Sequence, residues 1–309
     1  MNLMIIKKFH VLITWRLLID RLQKYKLLFK KNNISYDIIK ADQYLKEEDL
    51  LNVIDKYDGL ICGDDQITKK VIDKAKKLKV ISKWGTGLDS IDVKYAKVKN
   101  IKVLNSPGVF TKSVAQHAIA LMFCITRNVL LNHFDILKGI WSKRICFDLQ
   151  GMTIGIIGYG KIGKEIKRIL SIYKVNFLIN DIKKTYTKFT DKTTLLKKSD
   201  IIFLAVDLNE TSKKLISHKE LSIMKKNAIL VNICRGAVID NKALINALKN
   251  KLIFAAGLDV FEDEPLSLNS KFLNLKNCIL TSHNAFNSEH SINLINKKSV
   301  KNLVNELVN

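Results

Sequence analysis

A chain of 309 residues is long for one compact core, so two domains are expected, and its 47% hydrophobic content excludes a disordered chain. No apolar run approaches the roughly 20 residues that span a bilayer, which argues against a membrane protein. The net charge of +23 raises nucleic acid as a partner, but the excess is lysine spread over many helical segments, and the charge is read as a field that steers anionic ligands.

In chain order, strands are predicted at residues 9–13, 36–39, 59–62, 80–83 and 102–104. Helical spacing of apolar residues fills the gaps at 17–31, 47–55, 68–78 and 92–98, and a long helix runs from 111 to about 137. A buried strand at 153–157 leads into a glycine-rich turn, a helix over 164–174 and a strand at 177–180. Strands at 201–206, 228–233, 255–260 and 278–281 follow, with helices at 218–224 and 241–249, and an amphipathic helix at 287–308 closes the chain. Alternation of this kind predicts α/β architecture with parallel sheets. No cleavage site follows the basic N-terminus, so no signal peptide is expected. The five cysteines form no Cys-x-x-Cys pair and read as reduced thiols of a cytoplasmic protein, and no cluster has metal-ligand spacing.

The glycine-rich turn is Gly158-Tyr159-Gly160-Lys161-Ile162-Gly163, with Asp181 eighteen residues after its last glycine. Strand, turn, helix, strand and terminal acid form a dinucleotide-binding fingerprint. The first glycine makes a tight turn, the second admits a pyrophosphate to the backbone, and the third lets helix and strand pack closely. The helix N-terminus then faces the phosphates. Because this unit lies mid-chain, the two ends are expected to form the other domain jointly.

Three later segments place chemistry just past buried strands. They are Val231-Asn232-Ile233-Cys234-Arg235-Gly236, then Asp259 through Pro265, then Leu280-Thr281-Ser282-His283-Asn284. In open α/β sheets the ligand crevice lies outside the carboxyl ends of the strands, so a guanidinium, a carboxylate and an imidazole are expected to converge there. A guanidinium grips a carboxylate with two prongs. An imidazole takes and returns a proton near neutral pH, and a neighbouring carboxylate orients it.

With these motifs in this order, the chain resembles the D-isomer-specific 2-hydroxyacid dehydrogenase family. Further matches are Lys83-Trp84-Gly85-Thr86-Gly87-Leu88-Asp89-Ser90-Ile91-Asp92, Asn105-Ser106-Pro107-Gly108, Ser113-Val114-Ala115-Gln116-His117, Gly139-Ile140-Trp141 and Leu149-Gln150-Gly151-Met152-Thr153. The resemblance covers essentially the whole chain. It implies two doubly wound parallel-sheet domains. A Rossmann NAD-binding domain (105–285) is inserted into a flavodoxin-like substrate domain (1–104, completed by 286–309).

The resemblance makes Arg235, Glu264 and His283 the catalytic trio, Arg235 binding the carboxylate of a small D-2-hydroxy or 2-keto acid and His283 with Glu264 acting as acid and base. Glu262 is the alternative acid. Substrate contacts fall on Gly85, Thr86, Gly87, Arg235 and His283. Cofactor contacts fall on Thr86, Gly158, Gly160, Lys161, Ile162, Gly163, Asp181, Val206, Ile233, Cys234, Arg235, Asp259 and His283. The negative charge of Asp181 favours NAD over NADP, a preference that Lys183 and Lys184 soften.

Departures from the family pattern are Asp207, Gln116, Ser282 and Asn284-Ala285. The segment Cys62–Asp65 lacks the arginine that some phosphoglycerate enzymes carry there. His117, His133, His218 and His290 have no motif context and are expected to be structural or exposed. Alternatives are a D-3-phosphoglycerate dehydrogenase of serine biosynthesis, a non-catalytic NAD-sensing corepressor-like protein, and a formate-type dehydrogenase, whose histidine pairs with glutamine. Relatives are usually dimers built through the nucleotide domain and the long helix, which makes Met122 and Phe123 candidate contacts.

Overall fold

The computed structural model describes residues 8–41, 43–183 and 189–308, so Lys184 lies outside the described residues. The chain divides into two compact units, Met1–Phe110 with Ser288–Asn309, and Thr111–Asn287. By packing, the chain passes from the first unit to the second after Phe110. Residues 105–110 stay with the first unit because Ser106 N–H donates to Gly85 O (2.9 Å), Asn105 Nδ2 donates to Thr86 O (2.7 Å), and Phe110 packs on Trp84 at 5.7 Å.

The first unit is a five-stranded parallel sheet of β1 (Phe9–Ile13), β2 (Ile34–Ile38), β3 (Gly59–Cys62), β4 (Val80–Lys83) and β5 (Lys102–Leu104). Its order, β2-β1-β3-β4-β5, is that of a flavodoxin-like fold, with the switch point between β1 and β3. Strand residues alternate between two buried faces. Leu12, Leu60, Cys62 and Ile81 join one apolar cluster. On the other face the helix Glu289–Val308 packs against β3, β4 and β5. A Cβ at Gly59 would stand 3.0 Å from Leu303 Cδ1, and Ser82 Oγ donates to Ser299 O (2.8 Å). The C-terminus thus completes the first unit. Residues 17–31 are not one helix but Arg16–Ile19, a 3₁₀ turn Leu22–Tyr25 and Lys26–Lys31, interrupted where Arg21 (φ −118°, ψ 9°) leaves the α region.

The second unit is a six-stranded parallel sheet of β6 (Thr153–Ile157), β7 (Asn176–Asn180), β8 (Ile201–Leu204), β9 (Ile229–Asn232), β10 (Ala255–Leu258) and β11 (Cys278–Leu280), ordered β11-β10-β9-β8-β6-β7. A Rossmann sheet carries a further strand beyond β7. Here, among the described residues, Thr190 lies alongside that edge: its N–H donates to Ile179 O (2.8 Å) and Asn180 Nδ2 donates to its carbonyl (2.9 Å). The predicted strands 201–206, 228–233 and 255–260 overran by one or two residues. The runs stay apolar past the strand because their exits are themselves buried, as at Ile233 (6% exposed) and Val260 (2%).

The long helix is two helices, Thr111–Thr126 and Val129–Leu137, bent by 59°. Asn128 at the break is left-handed (φ 52°), a conformation asparagine tolerates. Its Nδ2 donates to Ile145 O (2.9 Å), and Phe147 N–H donates to Thr126 O (2.9 Å), so the returning chain seals the break. Thr111–Thr126 buries eight residues, whereas Val129–Leu137 buries none. No single helix among the described residues is long and apolar enough to cross a membrane.

Candidate active site

The glycine turn leaves β6 and enters the helix Lys161–Leu170. Its three glycines are required for different reasons. Gly158 is left-handed (φ 94°), and a Cβ there would strike the carbonyl oxygen of Ala205. At Gly163 a Cβ would strike the carbonyl oxygen of Gly158. At Gly160, the N-cap, a Cβ would meet no atom within 4 Å, which leaves open space at the helix N-terminus. Backbone amides at the positive end of a ten-residue helix, with an open approach, suit a pyrophosphate.

Asp181 braces this turn. Its Oδ2 accepts the Tyr159 N–H (2.6 Å) and its Oδ1 the Lys183 N–H (2.7 Å). A carboxylate has about four acceptor positions, so capacity remains for ribose hydroxyls. Lys164 and Lys167 flank the Tyr159 ring, each 5.8 Å from its centroid, so the turn lies in a positive field.

The exits of β9, β10 and β11 lie side by side. Asp259 N–H donates to Asn232 O (3.0 Å), and Thr281 N–H donates to Leu258 O (2.9 Å). Asn232, nearly fully buried, shapes the first exit. Its Oδ1 accepts from Cys234 N–H (3.2 Å) and Sγ (3.0 Å), and its Nδ2 donates to Arg235 O (3.0 Å). Burial pushes the Cys234 thiol up to about 11. Arg235 is half-buried, with Nη1 donating to Cys234 O (2.9 Å). Gly236 brings this loop against the next, since a Cβ there would overlap the Phe261–Glu262 backbone.

Glu264, not Glu262, meets the histidine. Glu264 Oε2 lies 2.7 Å from His283 Nδ1, both side chains about one-fifth exposed, while Oε1 accepts the Phe261 N–H (2.9 Å). Glu262 faces Asn241 Nδ2 (3.3 Å). An ionised carboxylate only accepts, so Nδ1 donates the proton of this bond. His283 is left-handed (φ 50°) and its N–H donates to Asp259 O (2.7 Å).

Asp259 is fully buried. Burial pushes its carboxyl up, but hydrogen bonds from His117, Thr281, Asn284 and Ala285 outweigh that and hold it below the usual carboxylate range. Sequence reasoning passed over Asn232, Thr281 and His117. An asparagine interrupting an apolar strand, and a histidine on the same helical face as Leu121, were the available signals. Gly85, Thr86 and Gly87 belong to the first unit, at the carboxyl end of β4, where Thr86 Oγ1 donates to Ser106 O (3.4 Å). Among the described residues no three His, Cys, Asp or Glu side chains could hold a metal, and all five cysteines are unpaired.

Residues 119–285 match the family model described as D-isomer specific 2-hydroxyacid dehydrogenase, NAD binding domain. A hydroxypyruvate reductase of Thermotoga maritima is 36% identical over 252 residues, covering 79% of this chain and 82% of its relative. A glyoxylate reductase of Thermofilum pendens is 39% identical over 253 residues, covering 77% and 74%. The structure of D-lactate dehydrogenase from Aquifex aeolicus, complexed with NAD and lactic acid, superposes with a TM-score of 0.83 at 26% identity, covering 94% of this chain and 93% of that one.

Proposed function

The chain belongs to the D-isomer specific 2-hydroxyacid dehydrogenase family as an NAD-dependent oxidoreductase, and on that premise we propose that it interconverts a small 2-keto acid, glyoxylate or hydroxypyruvate, with the corresponding 2-hydroxy acid, of D configuration where carbon 2 is a stereocentre. The observation that carries this reading is the 2.7 Å pair of Glu264 and His283, in the same unit as the glycine turn. Gly158, Gly160, Lys161, Ile162 and Gly163 hold the pyrophosphate, and Asp181 takes the adenosine ribose and favours NAD. Val206, Ile233, Cys234 and Asp259 line the path to the nicotinamide end.

When bound, the nicotinamide supplies or accepts the hydride. Arg235 grips the substrate carboxylate, and its charge polarises the carbonyl. His283 Nε2 gives a proton to the carbonyl oxygen in reduction and takes it from the hydroxyl in oxidation. Glu264 keeps Nδ1 protonated and the ring aimed, and stabilises the imidazolium. An acidic partner to the histidine separates this chain from the formate-type pairing with glutamine. A purely NAD-sensing protein has no need of the trio.

The apolar residues of 129–145 are read as a dimer surface, and five unpaired cysteines fit the reducing cytoplasm. The test is NADH oxidation with glyoxylate, hydroxypyruvate, pyruvate and phosphohydroxypyruvate. Turnover is expected with at least one of the first two. No turnover with any 2-keto acid, despite NADH binding, overturns the reading. Arg235→Ala and His283→Ala are each expected to lower kcat/KM by about 10³-fold with an unchanged melting temperature.

A further inference from the structure

His117 was expected to be structural or exposed, yet its ring reaches the proposed reaction centre. Nε2 lies 3.0 Å from Thr281 Oγ1 and 3.3 Å from Asp259 Oδ1. The approach is set by helix packing. Leu121, one turn after His117, stands over Gly257, where a Cβ would be only 3.0 Å from Leu121 Cβ. Gly257 and Asp259 point to the same side of their strand line, so the helix turn 117–121 registers on 257–259.

Proton accounting fixes the direction of these bonds. Thr281 has one hydroxyl proton and gives it to Asp259 Oδ1 (2.6 Å). Asp259 is ionised and only accepts. Nε2 of His117 must therefore carry a proton, shared between Thr281 Oγ1 and Asp259 Oδ1. Asp259 in turn shapes the loop that bears His283. Its Oδ1 accepts Asn284 N–H (2.8 Å), its Oδ2 accepts Ala285 N–H (2.9 Å), and its carbonyl accepts His283 N–H (2.7 Å). A histidine at φ 50° is held in a sparsely populated region, which persists only where the surroundings over-determine it.

We infer that His117 is a positioning residue for the reaction: through Thr281 and Asp259 it holds the loop of residues 281–285, and so sets where His283 Nε2 stands and how Asp259 faces the nicotinamide end of the cofactor. The inference rests on the proposed function. It concerns the reacting end of NADH and not the adenosine end, which the glycine turn and Asp181 hold. That difference supplies the test.

The full chain and its His117→Ala, His117→Gln and Thr281→Val variants are compared in glyoxylate or hydroxypyruvate turnover and in calorimetric binding of NADH and of ADP-ribose, which lacks the nicotinamide. For His117→Ala, kcat is expected to fall about 30-fold and NADH affinity about tenfold, with ADP-ribose affinity within about twofold of wild type. His117→Gln, which restores an N–H donor, is expected to recover most of both losses. Thr281→Val removes the same bridge without touching the helix and should reproduce the split if His117→Ala fails to fold. Wild-type kcat and NADH affinity in both His117→Ala and Thr281→Val overturn the inference. So does an equal loss of NADH and ADP-ribose affinity, or a His117→Gln variant no better than His117→Ala. A wild type that binds NADH but reduces no 2-keto acid instead overturns the proposed function, and the inference falls with it.

Discussion

Three glycines of one motif answer to three different pressures. Gly158 is held by its left-handed backbone and the Ala205 carbonyl, Gly163 by the Gly158 carbonyl, and Gly160 by nothing within the protein. Gly158→Ala is therefore expected to cost about 1–3 kcal/mol of stability and to weaken NADH binding together. Gly160→Ala is expected to leave the melting temperature within about 2 °C while raising the KM for NADH roughly tenfold, because its added methyl group meets no protein atom and enters the space proposed for the pyrophosphate. Thermal melts beside NADH titrations check both. A Gly160→Ala variant that melts early would mean the open space is closed in solution. The motif spelling made all three glycines legible as a strand-to-helix turn of the dinucleotide-binding pattern. It did not separate them, because the atoms that constrain Gly158 and leave Gly160 unconstrained are set by the neighbouring β8 exit.

Among the elements, capping carries a pH signature. Ser217 and Glu220 form a reciprocal cap on the helix His218–Ser222, with Ser217 Oγ 2.6 Å and Lys192 Nζ 2.9 Å from the Glu220 carboxylate. Burial pushes the Glu220 carboxyl up, but these bonds outweigh it and take it down to about 2. A depressed folded-state value means the contribution is present above the unfolded value of about 4.5 and is lost as the pH falls toward 2. Glu220→Gln is expected to lower stability by about 2 kcal/mol at pH 7, the gap narrowing as denaturant melts move toward pH 3. A gap that stays constant with pH would assign the loss to packing.

Strand bounds at 9–13, 59–62, 80–83, 102–104 and 153–157 were readable from apolar runs and their flanking turns. The break at Asn128 was not, since apolar spacing continues unbroken through residues 129–137. Only the returning chain at Ile145 and Phe147 explains it. That break also redirects the expected dimer contacts. Met122 is fully buried within its own unit and so is not offered to a partner, while Phe123 is half-buried and packs edge-on against Tyr173 (5.6 Å).

At the scale of the whole molecule, the surface after the break is unusually apolar. Phe134 is 52% exposed, Trp141 83% and Ile145 93%. Apolar area of this kind is covered in most stable proteins. With the chain proposed to dimerise here, light scattering is expected to give twice the 35.3 kDa chain mass, and a Trp141→Glu, Ile145→Glu double variant to give the monomer. A wild type that scatters as a monomer would remove the dimer.

Periodicity, turn chemistry and motif order are local, and they were enough for two α/β units, the mid-chain glycine turn, the C-terminal helix completing the first unit, and the sequence of Arg235, acid and His283. The break at Asn128 and the reach of His117 to Asp259 were beyond them. Each depends on how closely two distant segments approach. Close approach is decided by packing, by whether a glycine at 236 or 257 lets backbones and helices come within contact, and no spacing along the chain records that distance.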